Sequence, residues 1–310
     1  MLDADTFLTT LYVEVDDFCK AHARVHPGRG RPRSLSRSEV VTLALIEQFG
    51  CFMSETHFHR YCAIYLRKAF PKLPHRSQLN RLIRSECELI VSFFLHLADR
   101  LRAHDAAFQA LDCTAVPVRN SKRRGYGWLP GRATLGWSNR RGWFTGFRVI
   151  SSVTPEGAVA GFGIASGHVN DHLIGQTFLA LRAYPMPGYY AAVGRRAMGP
   201  YLADSGFAGE NPARIWKQAF GASVLAPPQR NQRTRGWTPQ MRRWIAGLRQ
   251  MVETQFSKFF WSFRLERERP HTMEGFQARV AATAALHNFC IWLNRQLGRP
   301  NLAFADLVVW

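Results

Sequence analysis

The stretch AFQALDCTAVPV, residues 107–118, decides how the chain is read. It is short and apolar, and a break follows it, as expected of a buried strand. Asp112 closes its first apolar run, Phe108–Leu111. Downstream, GWFTGFRVISSV (142–153) and AVAGFGIAS (158–166) are strand-like, with Pro155-Glu156-Gly157 as the turn between them. DHLIGQTFLALRAY (171–184) reads as a helix with Leu173, Phe178, Leu179 and Leu181 apolar. YLADSGF (201–207) is a strand closed by Asp204, and NPARIWKQAF (211–220) a helix with Pro212 in its first turn. ASVLAPP (222–228) is a short strand stopped by Pro227-Pro228, and helices follow from Thr238 to about Phe263 and over Met273–Arg295. Hairpin-linked strands followed by alternating helix and strand predict an α/β layer fold, a mixed β-sheet flanked by helices.

Upstream, the first hundred residues read as helical. Ser36-x-x-Glu39 is a capping box set before Val40, Leu43, Ala44 and Phe49. A second helix is expected over His57–Ala69, with Tyr61, Ile64 and Tyr65 on one face, and a long one after Leu73-Pro74. Arg76, Gln78, Asn80, Arg81 and Arg84 suit the recognition face of a helix-turn-helix, or equally a solvated helical face. The expected organisation is therefore a helical DNA-binding region at 1–100 and an α/β domain at 105–300, with a basic, aromatic-rich loop at 119–142.

The net charge is +19 and the isoelectric point about 10.6, which calls for a polyanionic partner. No run approaches the ~18 consecutive apolar residues of a membrane span. The acidic opening MLDADTFLTTLYVEVDDFCK lacks the basic-then-apolar order of a signal peptide, so a cytoplasmic protein is expected. The six cysteines form no C-x-x-C pair and read as reduced core thiols. Two stretches are rich in arginine and free of acids. Residues 119–148 carry Arg119, Lys122, Arg123, Arg124, Arg132, Arg140, Arg141 and Arg148, interleaved with Tyr126, Trp128, Trp137, Trp143 and Phe144. Residues 229–249 carry Arg230, Arg233, Arg235, Arg242, Arg243 and Arg249. Arginines with aromatics suit phosphate contact and base stacking on DNA.

In so basic a chain, acids at strand ends stand out. Strand ends gathered at one edge of a sheet would bring Asp112 and Asp204 together. Glu253 borders the apolar face formed by Ile245, Leu248, Val252, Phe256, Phe259 and Phe263. Three such carboxylates suit two Mg²⁺ ions, which need hard oxygen ligands and stabilise an in-line phosphoryl displacement. Taken singly, each acid is equally well a turn, cap or surface residue.

FQALDCTAVPV, RRGWFTGFRVISSVTPEGAVAGFGIASGHVNDH, YLADSGF and the tail beginning MVETQFSKFFWSF together resemble bacterial insertion-sequence transposases of the DDE class, nearest to the 982 family of insertion sequences. The likeness covers most of 105–300, and SLSRSEVVTLALIEQFG resembles the family's opening helical region. It implies an RNase H-like core in which Asp112, Asp204 and Glu253 are the catalytic, metal-binding triad for two Mg²⁺ ions, with Mn²⁺ as a substitute. It also places Arg249, four residues before Glu253, on the DNA. The family's Tyr three residues before that Arg is Ala246 here, and its basic residue seven after the Glu is Phe260, with Lys258 nearby. Asp171, in GHVNDH, is expected to cap the following helix, with an auxiliary active-site role as the second option. His168 and His172 lack a third ligand for zinc. The implied activity is DNA strand cleavage at element ends and strand transfer into target DNA, by a homodimer or larger assembly on double-stranded DNA. The alternatives are a nuclease of the same fold and a non-catalytic DNA-binding descendant.

Overall fold

The computed structural model describes residues 1–22, 33–119, 129, 131–229, 237–267 and 269–309. Besides short 3-10 turns, the elements are β1 (Leu2–Asp3), α1 (Ala4–His22), α2 (Arg37–Ile46), α3 (Glu55–Tyr65), α4 (Arg76–Ser85), α5 (Cys87–Arg100), β2 (Gln109–Arg119), β3 (Thr134–Ser138) and β4 (Gly142–Val153). They continue with β5 (Val159–Ser166), α6 (Asp171–Ala183), β6 (Ala191–Ala192), β7 (Tyr201–Ala203), α7 (Glu210–Phe220), β8 (Val224–Leu225), α8 (Pro239–Trp261), α9 (Met273–Gln296) and β9 (Val308–Val309). Among the described residues no helix is long and apolar enough to cross a membrane.

Contacts divide the chain into two units, Met1–Phe94 with Phe259–Trp310, and Leu95–Lys258. This division differs from the expected boundary, which keeps the tail with the sheet. The reason lies in α9. It is buried on nearly every side, from Met273 to Asn294, so it needs a shell of other helices. Within the first unit it packs on α2 and α4. The capping box at Ser36 forms as expected. The Ser36 hydroxyl accepts from the Glu39 N–H at 3.1 Å, and the Glu39 carboxylate accepts from the Ser36 N–H at 2.6 Å.

The helix-turn-helix expectation changes here. The connection between α3 and α4 runs over 66–75, far longer than the tight turn of that motif. Two of the five recognition candidates also face inward. Asn80 donates to Glu55 Oε2 at 2.6 Å and accepts from Arg279 Nη2 at 2.8 Å. Arg76 reaches the same carboxylate at 3.4 Å, and Arg279 pairs with it closely. Gln78, Arg81 and Arg84 stay exposed. Glu55→Ala takes the carboxylate from a nearly buried guanidinium and should cost about 3 kcal/mol, read from the urea midpoint. An unchanged midpoint would mean the network is incidental.

The second unit holds one mixed sheet, with strands ordered β6-β5-β4-β2-β7-β8 and β3 added alongside β4. On one side of β2 the pairing is antiparallel through β4, β5 and β6; on the other, β7 and β8 run parallel to β2. One face packs on α6 and α7 around Leu111, Ile150, Phe178, Tyr201, Phe207 and Trp216. β2 covers nearly the whole stretch read as a strand, 107–118, with Asp112 inside it rather than at its end. It runs through Pro117 because β7 pairs only Gln109–Leu111, and the ladder to β4 shifts between Pro117 and Arg119. The stretch read as a basic loop contains β3, which pairs with β4 as a hairpin. Gly136 permits this strand, because a Cβ there would lie 2.1 Å from the Gly167 carbonyl oxygen. One buried side chain ties the sheet together. Arg182 of α6 donates to Gln109 Oε1 at 2.7 Å, Tyr201 Oη at 2.9 Å, Ser152 Oγ at 2.8 Å and the Ala160 carbonyl at 2.8 Å, and also to the Val193 carbonyl.

Candidate active site

The parallel register of β2 and β7 sets the site. Gln109, Ala110 and Leu111 face Tyr201, Leu202 and Ala203. The next residues along the two strands are Asp112 and Asp204. Pairing stops there because Asp204 turns the chain, its Oδ1 accepting from the Gly206 N–H at 2.8 Å. Side chains alternate along β2, so Asp112 leaves one face while Leu111 and Cys113 leave the other. Asp112 Oδ1 accepts from the Cys113 N–H at 2.7 Å, and Oδ2 accepts from Arg249 Nη2 of α8 at 3.1 Å.

Asp171 does not cap α6. Asn170 does, its Oδ1 accepting from the Leu173 N–H at 2.8 Å. Asp171, one residue later, is thereby left to accept from Arg148 Nη1 at 2.6 Å. It lies close to Asp204 as well. A Cβ built on Gly206 would meet Asp204 Oδ1 at 3.0 Å and Asp171 Oδ2 at 3.4 Å. Only a glycine leaves the space between the two acids open.

These placements perturb one another. Burial first, with Asp204 and Asp171 adding to it against the pull of Arg249 and the Cys113 N–H, raises the Asp112 carboxyl to about 7. Burial likewise raises Asp171, opposed by Arg148 and reinforced by Asp204. Burial holds the Cys113 thiol well above its ordinary value. Thus Asp112, Asp171 and Asp204 form one electrostatic cluster, with a guanidinium seated on each of the first two.

Glu253 is exposed on α8, one helical turn beyond Arg249, and is not among the groups that act most strongly on Asp112. Among the described residues no three His, Cys, Asp or Glu side chains already stand at metal-holding spacing. The donor set still suits Mg²⁺ in kind. It consists of hard carboxylate oxygens, and two cationic groups sit on the carboxylates a metal would neutralise.

The basic candidates are placed unevenly. Arg140 is exposed and Arg141 half-buried at the turn between β3 and β4. Arg243 is exposed, Lys258 is half-buried, and Arg242 donates to the Pro228 carbonyl at 2.7 Å. Arg119 ends β2; Lys122, Arg123 and Arg124 lie outside the described residues. His168 bonds Thr134 at 2.9 Å and His172 lies against Trp216. On sequence grounds Arg148 is one more positive charge in a basic stretch. The signal that singles it out is an arginine inside an otherwise apolar strand, which needs an anionic partner when half-buried.

No family model matches the chain, and no curated protein matches it. Among solved structures, the Mos1 transposase paired-end complex with left transposon end aligns with 79% of this chain and 83% of its own, at 11% identity and a TM-score of 0.24. A likeness at that score decides nothing about fold or chemistry.

Proposed function

We propose that this chain is a metal-dependent DNA phosphodiester transferase: a DDE-class transposase resembling the 982 family of insertion sequences, with an RNase H-like core. The observation that carries the reading is the side-by-side placement of Asp112 and Asp204 where the parallel pairing of β2 and β7 ends, with Arg249 laid on Asp112. A sheet antiparallel on one side of β2 and parallel on the other supports the RNase H-like core. The net charge of +19 supports a nucleic-acid substrate.

Asp112 and Asp204 would hold two Mg²⁺ ions (or Mn²⁺), with Glu253 of α8 as third ligand and Asp171 as an auxiliary acid. When bound, the ions supply the Lewis acidity for in-line displacement at phosphorus. The chain's own residues do the rest. Arg148 fixes Asp171 against the loop at Gly167. Arg249, which pairs with Asp112 here, would be the donor to a phosphate oxygen if bound metal neutralised that carboxylate. Exposed Arg140 and Arg243 contact phosphates and position the duplex. Joining two element ends to a target requires a dimer or larger assembly on double-stranded DNA, formed in the cytoplasm.

The test is cleavage of duplex DNA bearing the element ends, with Mg²⁺, by the wild type and by Asp204→Ala. The loss of an outer partner of a metal ligand already costs about 10–100-fold, so loss of a ligand should cost more. Equal cleavage by the two proteins sinks the proposed site.

A further inference from the structure

The hairpin of β3 and β4 carries a feature that acid chemistry does not use. Trp137 and Trp143 are directly opposite each other in the antiparallel register, so both rings leave the same face. They are 50% and 66% exposed, and Leu135, two residues along on that face, is 52% exposed. The opposite face is closed, because Phe144 lies over Gly136 and Gly136 abuts the Gly167 carbonyl. Two large rings on a two-stranded arm therefore have solvent where a core would normally be. An exposed apolar patch of this kind marks a recognition surface.

Its surroundings select the occupant. The turn that joins the strands carries exposed Arg140 and half-buried Arg141, and no acid lies anywhere from 119 to 148. Arg148 fixes the hairpin to the acid cluster with one guanidinium. Nη2 donates to the Trp137 carbonyl at 2.7 Å, Nε to the Gly167 carbonyl at 3.2 Å, and Nη1 to Asp171 at 2.6 Å. The backbone of Trp137 is thus a single side-chain group away from Asp171. Flat aromatic faces beside cations match a nucleobase with its phosphates.

We propose that Trp137 and Trp143 form a base-stacking platform that holds an unpaired nucleobase of the DNA beside the acid cluster. The inference rests on the DNA-processing reading and deepens it. The arm selects DNA whose end is frayed or single-stranded at the reacting position, because only an unstacked base exposes the face that the rings cover. Arg140 and Arg141 contact the flanking phosphates.

The experiment compares the full chain's affinity, without metal, for a fully paired duplex and for the same duplex with a short single-stranded overhang. The proteins are wild type, Trp137→Ala/Trp143→Ala and Trp137→Phe/Trp143→Phe. Stacking of one base predicts about a ten-fold preference for the overhang in wild type. The alanine variant should lose the preference while binding paired duplex with the same salt dependence, and the phenylalanine variant should keep most of it. Both rings are well exposed, so the variants should melt like wild type. An overhang preference that survives in the alanine variant overturns the platform, as does a wild type with no preference. Phospholipid vesicle binding that depends on the tryptophans, with no DNA preference, assigns the patch to a membrane surface and also overturns it. The metal-free readout keeps this test separate from Asp204→Ala cleavage. An overhang preference alongside unaltered cleavage would leave the platform standing and the catalytic reading fallen.

Discussion

Asp112→Asn should abolish Mg²⁺-dependent cleavage and yet make the metal-free protein more stable above neutral pH. The two effects have one origin. The folded chain holds Asp112 in a buried place beside two other acids, which raises its pKa from 3.8 to about 7. Between those values the folded state keeps a proton that the unfolded state has released. Stability is therefore fully present below about pH 4 and is lost as pH rises through about 7. Each pKa unit is worth about 1.4 kcal/mol, so the loss is about 2–4 kcal/mol, the lower figure allowing for solvent screening of a side chain that is 20% exposed. Asparagine mimics the protonated acid, so the part of the fall that belongs to Asp112 should vanish and only the smaller part from Asp171 remain. Metal should act in the opposite sense, because only the ionised carboxylate binds it. Mg²⁺ should raise the wild-type melting temperature more at pH 8 than at pH 5, and should leave Asp112→Asn unmoved. Thermal melts across pH, with and without Mg²⁺, read all of this. Superimposable pH profiles for the two proteins would contradict the placement of Asp112.

Arg182→Met should be the most destabilising substitution in the sheet unit. The side chain is 6% exposed and its guanidinium serves acceptors on β2, β4, β5 and β7 and on the chain beside β6. Methionine fills much of the volume but leaves several buried acceptors without a donor, each costing about 1–3 kcal/mol. Partial rearrangement makes about 4 kcal/mol a reasonable sum, a large part of a domain's whole stability. Arg182→Lys should recover only a fraction, since a point charge cannot reproduce a planar fork. Denaturant midpoints at neutral pH measure both. A loss below about 1 kcal/mol for methionine would show that the acceptors find other partners. Gly161 belongs to the same arrangement, because a Cβ there would meet Arg182 Nη2 at 2.7 Å.

Much of the second unit is legible in the order of residues. Apolar runs bounded by Pro, Gly and Asp mark β4, β5, β7 and β8, and 3.6-residue periodicity marks α6, α7 and α8 within a few residues. Pro117 is tolerated inside β2 because only a partner on that side forbids proline, and β7 stops short of it. The Gly-rich 125–142 stretch has the look of a loop because Gly136 weakens any strand signal, while its purpose is the close approach to Gly167. Asp171 resembles a cap because its neighbour Asn170 is equally suited, and one hydrogen bond separates the two roles.

The net charge of +19 and the order of most helices and strands in the second unit were readable from the sequence by itself, since charge and hydrophobic period are properties of the chain alone. It also singled out Asp112 and Asp204 as acids closing apolar runs, although Asp112 lies inside β2 rather than at its end. Only the tertiary structure decided that they stand at the same level of two parallel strands, because register depends on partners distant in sequence. The fold likewise put Arg249 on Asp112, gave Asp171 to Arg148, and left Glu253 exposed one turn beyond Arg249. Charges placed by long-range packing have no signature in local sequence. Packing therefore seats Arg148 on Asp171 and leaves Glu253 at the surface of α8, neither of which the chain announces.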